Sequence, residues 1–188
     1  ELEDQEAFRT TLAHEMTHLL VGSYFKEKKA HPPRWLDEGL AMLMEERAIP
    51  VSKPDAYWQA ARAMLPRDSV VPAEHFVTTE PKSDAEKTAV RDWYFQAYLM
   101  TRWLFVEHSK LQFKSFCDSL RDGKDLRYSL KKVYAIRDLA RFDADWINHA
   151  GLPAARPKTP ADDKGFKFKP ADFTDFSQSI FKKKEESK

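Results

Sequence analysis

His14-Glu15-Met16-Thr17-His18 carries the residue types and spacing best suited to chemistry in this chain. Two imidazoles stand four positions apart, and a carboxylate directly follows the first. On an α-helix such positions lie roughly 40° from each other and about 6 Å apart along the axis. His14 and His18 can therefore reach one point, where a single metal ion accepts both rings. Glu15 projects beside them, towards a water on such an ion rather than the ion itself. The spacing suits Zn²⁺ as the metal, with Glu15 as general base. The competing reading is an exposed helix face with two solvated histidines.

A catalytic zinc normally has three protein ligands and one open position. Trp35-Leu36-Asp37-Glu38-Gly39-Leu40-Ala41 offers Glu38 as the third, with the 19 residues at positions 19 to 37 between it and His18. The stretch between them suits a helix, a turn and a second helix. Gly22 is placed to end the first, and His31-Pro32-Pro33 forbids helix just before the second. Gly39 and Ala41 are small enough to let two helix backbones approach closely beside the metal. Asp37 is either a carboxylate partner for the far nitrogen of a ligand imidazole or a solvated residue at the helix start.

HEMTH followed by WLDEGLA resembles the gluzincin metallopeptidases, a group that includes thermolysin. It is most similar to peptidase-MA-like domains, whose second helix commonly reads W-L-x-E-G-x-A. The metzincin pattern is not met, because Val21 and Tyr24 stand where it needs Gly and His. The resemblance implies zinc bound by His14, His18 and Glu38, with Glu15 as base. It extends into Arg91-Asp92-Trp93-Tyr94-Phe95-Gln96-Ala97-Tyr98-Leu99, which looks like the Y-x-Q-(small) helix of these domains. Gluzincins often place there a tyrosine that stabilises the tetrahedral intermediate. Tyr94 is the candidate, with Tyr98, one turn on, in reserve. The similarity spans roughly residues 5 to 150 and grows less specific along the chain. It implies a mainly α fold, a zincin-like helical catalytic subdomain of about six or seven helices with little or no sheet. Gluzincins carry a substrate-binding sheet upstream of the metal helix, so the expectation here is the helical catalytic half. Proteins of this look are often exported.

A length of 188 residues fits one domain with an appended tail. The expected division is a domain over 1–151 and a Pro-, Phe- and Lys-rich tail over 152–188, flexible or docked on a surface. Net charge is +1 from 31 basic and 30 acidic residues. With neither sign in excess, nothing asks for nucleic acid or an anionic membrane. No apolar run approaches the length of a membrane span. The single cysteine, Cys117, excludes an intramolecular disulfide and reads as a small buried apolar residue. Five glycines and no phosphate-binding loop argue against nucleotide binding.

Apolar spacing predicts helices over 3–21, 34–47, 55–65, 84–107, 111–120, 126–136 and 138–149. Phe8, Leu12, Leu19 and Leu20 are expected to face the core from the first. Residues 66–81 lack a helical period and read as a connector with short extended pieces. His75, within it, is a poor ligand candidate beside His14, His18 and Glu38. The functional expectation is zinc-dependent hydrolysis of peptide bonds in a peptide or protein substrate. The alternative is a non-catalytic zincin-like domain that binds a protein partner. Glu15 between the histidines favours catalysis. Phe166, Phe168, Phe173, Phe176 and Phe181 in the tail favour binding.

Overall fold

A computed structural model describes residues 2–48, 56–82 and 85–154. Among these it contains eight α-helices, one 3₁₀ turn and no strand. They are α1 (Leu2–Lys26), α2 (Arg34–Ala48), α3 (Ala56–Met64), α4 (Ala73–Phe76), α5 (Lys87–Val106), α6 (Lys110–Arg121), α7 (Leu126–Tyr134) and α8 (Leu139–Ala150). The fold is mainly α, as expected. The tail beyond 154 lies outside the described residues.

α2 and α5 form the centre. α2 packs against α1 on one side and α5 on the other. From Asp92 to Leu104 every α5 residue except Arg102 is buried, which fits its wide apolar stripe. Gly39 explains how the two helices come so close. A Cβ at that position would stand 2.2 Å from Thr101 Oγ1 and 2.5 Å from the Ala97 carbonyl oxygen. Gly39 thus sets the α2–α5 crossing, and its neighbour Glu38 is carried into the interior.

The later helices are fixed by local signals. Ser109 and Gln112 form a reciprocal cap on α6. Asp125 and Asp138 cap α7 and α8 through their carboxylates. Gly151 ends α8 in a left-handed conformation. Ala135 does the same after α7, so that helix stops at Tyr134 rather than Ile136.

Three expectations need correction. First, α1 runs straight through Gly22 and ends at Lys26. Lys29 turns the chain with a φ of 55°, and Ala30 N–H bonds back to the Phe25 carbonyl. Continuing the helix lets Tyr24 and Phe25 join the core, which outweighs the weak helix preference of one glycine. Second, Phe8, Leu12, Leu19 and Leu20 do not face the core. They are 67%, 47%, 68% and 65% exposed, and Met16 lies on the same stripe at 47%. The buried face of α1 is instead the one bearing His14, Thr17 and Phe25. Third, residues 66–81 are not wholly irregular. They hold the 3₁₀ turn Arg67–Ser69 and the single helical turn α4, with Phe76 buried in it.

Gly39→Ala is expected to lower stability by about 1–3 kcal/mol, because the added methyl meets backbone that cannot rotate away. Urea denaturation of the two proteins checks this.

Candidate metal centre

The period of α1 puts His14 and His18 on the face that packs on α2. The first turns of α2 bring Glu38 to meet them. One atom from each of these three residues lies within 4.8 Å of the other two. His14 Nε2 and His18 Nε2 are 3.0 Å apart. Glu38 Oε2 is 3.9 Å from the first and 3.7 Å from the second. Around a tetrahedral zinc with bonds of about 2.1 Å, neighbouring ligand atoms stand roughly 3.4 Å apart. The donor types and their spacing both suit that ion.

The far atoms of the ligands make the case stronger. His14 Nδ1 pairs with Glu45 Oε1. His18 Nδ1 lies 3.0 Å from Asp37 Oδ2. Carboxylates accept protons in hydrogen bonds, so each Nδ1 is the protonated nitrogen. In neutral rings both Nε2 lone pairs then face each other across 3.0 Å. That arrangement calls for a shared cation or a proton between them. Glu38 has its own orienting partner. Its Oε1 lies 3.7 Å from Arg34 Nε, which leaves Oε2 turned to the imidazoles.

Charge points the same way. With neutral imidazoles, the carboxylates of Asp37, Glu38 and Glu45 outnumber the Arg34 guanidinium paired with Glu38 among the described residues. Glu38 is only 5% exposed, and burial raises its pKa above the ordinary carboxylate value. A divalent cation would offset both the charge and the burial cost. For His18, burial opposes the charged form, but the Asp37 hydrogen bond and nearby carboxylates outweigh it and raise the pKa. Glu15 is among those carboxylates. It is half-buried, next to His14, and close enough for its charge to act on His18.

Tyr94 is buried on α5 near this cluster. Burial pushes its hydroxyl up to about 12, with the Glu38 charge adding to the effect and Arg34, its hydrogen-bond partner, opposing it. Tyr98 answers to different neighbours. Its hydroxyl is influenced by Glu46 and Arg102, and its ring packs on Tyr57. Of the two candidates, Tyr94 is therefore the one that senses Glu38 and Arg34. Asp37 is the imidazole partner rather than a solvated residue. His75 is exposed on α4 and outside the cluster. Cys117 is buried, as expected.

Glu45, Arg34, Tyr57 and Glu80 were not singled out by sequence. Arg34, Glu38 and Glu45 occupy positions i, i+4 and i+11 of one helix, so their shared face was a usable signal. Tyr57 and Glu80 come from other segments and had none. Glu80 Oε2 lies 3.4 Å from Arg34 Nη1, so the connector over 66–81 reaches the site at its end. Gln96 and Trp93 pin that connector to α5 through Val71 and Thr79. The open hollow bordered by Trp103, His108, Tyr134 and Arg141 shares no residue with the cluster.

Comparison with family models, curated proteins and solved structures finds no match for this chain. No helix among the described residues is long and apolar enough to cross a membrane.

Protons compete with a metal for these ligands. Zinc affinity is therefore expected to drop roughly tenfold or more from pH 8 to pH 6, measured by chelator competition. In the metal-free protein the sign reverses. His18 adds stability below its unfolded value of 6.5 and loses it as pH rises through the higher folded value. The raised pKa of Glu38 acts in the same direction from 4.5 upward. The thermal shift on adding zinc should accordingly be larger at pH 8 than at pH 6.

Proposed function

We propose that this chain is a zinc-dependent metallopeptidase of gluzincin type that hydrolyses peptide bonds. The observation that carries the reading is the convergence of His14, His18 and Glu38, each with an orienting partner, beside Glu15. Bound at these three residues, zinc would supply Lewis acidity and a water acidified towards a pKa of about 7.

Glu15 takes the proton from the attacking water and delivers it to the leaving amine. Tyr94, with its raised pKa, keeps its proton at neutral pH and can donate a hydrogen bond where negative charge develops on the substrate oxygen. Asp37 and Glu45 hold the imidazoles in one tautomer, so the ligand set needs no rearrangement as charge moves. Arg34 keeps Glu38 turned to the histidines.

A second reading has its own support. The stripe of Phe8, Leu12, Met16, Leu19 and Leu20 is an exposed apolar surface of the kind that marks protein contacts. A zincin-like domain that binds a partner without catalysis would use it. Glu15 argues for catalysis, since a binding module needs no carboxylate there.

Glu15→Gln should retain stoichiometric zinc and lose about 10²–10⁴ in turnover of a peptide library. Glu38→Ala should lose the metal. Tyr94→Phe should cost on the order of 10² in kcat with little change in zinc content. Undiminished cleavage by Glu15→Gln protein would falsify the mechanism, and zinc without cleavage in the wild type would favour the partner-binding reading.

A further inference from the structure

The two ligand histidines are held differently. Asp37, the partner of His18, is a half-buried neighbour of Glu38 on the same helix turn, and its Oδ1 has no hydrogen-bond partner among the described residues. Glu45, the partner of His14, is itself gripped from a third helix. Its Oε1 faces His14 Nδ1, and its Oε2 accepts a hydrogen bond of 3.1 Å from the Tyr57 hydroxyl. Tyr57 is 4% exposed. Its ring packs edge-on against Tyr98, with centroids 5.1 Å apart. A chain of contacts thus runs from the α5 core through Tyr57 and Glu45 to the far nitrogen of the His14 ring, whose Nε2 faces His18 and Glu38.

We infer that Glu45 and Tyr57 are positioning residues of the metal centre, acting in series to fix the ring and tautomer of His14. The inference rests on the zinc reading of the site. Neither residue touches the ion position itself. Glu45 holds the Nδ1 proton, so that Nε2 is left as the donor. Tyr57 holds Glu45, because a carboxylate with one oxygen tethered cannot swing out to solvent. α3 is thereby part of the metal centre, although it supplies no ligand. The arrangement also makes His14 the more tightly held of the two imidazoles, since its partner is tied into the core.

Serial action gives a signature that independent packing does not. Glu45→Gln should weaken zinc binding about 10–100-fold, the usual range for such partners. Tyr57→Phe keeps the ring on Tyr98 and removes only the hydroxyl, and it should weaken binding about 5-fold, a smaller step than the direct partner's. In the double variant the Tyr57 effect should vanish, leaving the affinity within about 2-fold of Glu45→Gln alone, because the second residue acts only through the first. Zinc dissociation constants of the full chain by chelator competition supply these values. Ring ¹⁵N shifts of His14 should report Nδ1 protonation in the wild type and a mixed tautomer in Glu45→Gln. Melting of the metal-free proteins confirms that each variant folds.

The outcomes separate two failures. A wild type that binds no zinc, or a Glu38→Ala variant that still binds it, overturns the metal centre and this inference together. Zinc bound by the wild type and lost in Glu38→Ala, with Glu45→Gln and Tyr57→Phe both at wild-type affinity, overturns the positioning role alone. Additive losses in the double variant likewise overturn it, by showing that Tyr57 acts apart from Glu45.

Discussion

Two imidazole nitrogens stand 3.0 Å apart with their far nitrogens committed to carboxylates. Most other features near the site follow from this constraint. Two lone pairs that close repel unless something positive lies between them. His14 is 6% exposed and Glu38 5%, so bulk water cannot relieve the conflict cheaply. The carboxylates of Asp37 and Glu45 deepen the negative potential, and the Arg34 guanidinium beside Glu38 opposes it. The three donor atoms already lie within 4.8 Å of one another, close enough that one ion could join them.

Precise placement requires stiff support. α2 supplies it by serving two faces at once. Its Glu38 meets the histidines of α1, while Gly39, one residue on, lets α5 close against the adjoining face. The position of the third donor is therefore tied to a helix crossing with no room for a side chain at Gly39. α5 in turn carries Tyr94 beside the site and Tyr98 behind Tyr57, so it touches the metal region by two routes. The catalytic proposal and the packing share the same residues for that reason.

α1 is the exception to this economy. It offers one face to α2 and leaves an apolar stripe exposed. Leaving such a stripe in water forgoes the burial of several large side chains, each worth about 1.5–3 kcal/mol when fully covered. α1 thus keeps five large apolar side chains, at 8, 12, 16, 19 and 20, largely in water.

The sequence by itself determined what depends on short separations. The four-residue period put His14 and His18 on one face, the prolines separated α1 from α2, and the apolar stripe of α5 marked it as central. The small residue beside Glu38 was legible too, although only the structure showed that Gly39 faces α5. Tertiary structure decided everything that needed two segments. It chose which stripe of α1 was buried: apolar side chains at 8, 12, 19 and 20 suggest a core face, yet the face that docks is the one whose partner is present. It also turned Asp37 to His18, Glu45 to His14 and Tyr57 to Glu45. Periodicity is written in one chain segment, whereas burial and pairing belong to the surface that segment meets, and no local pattern encodes that surface.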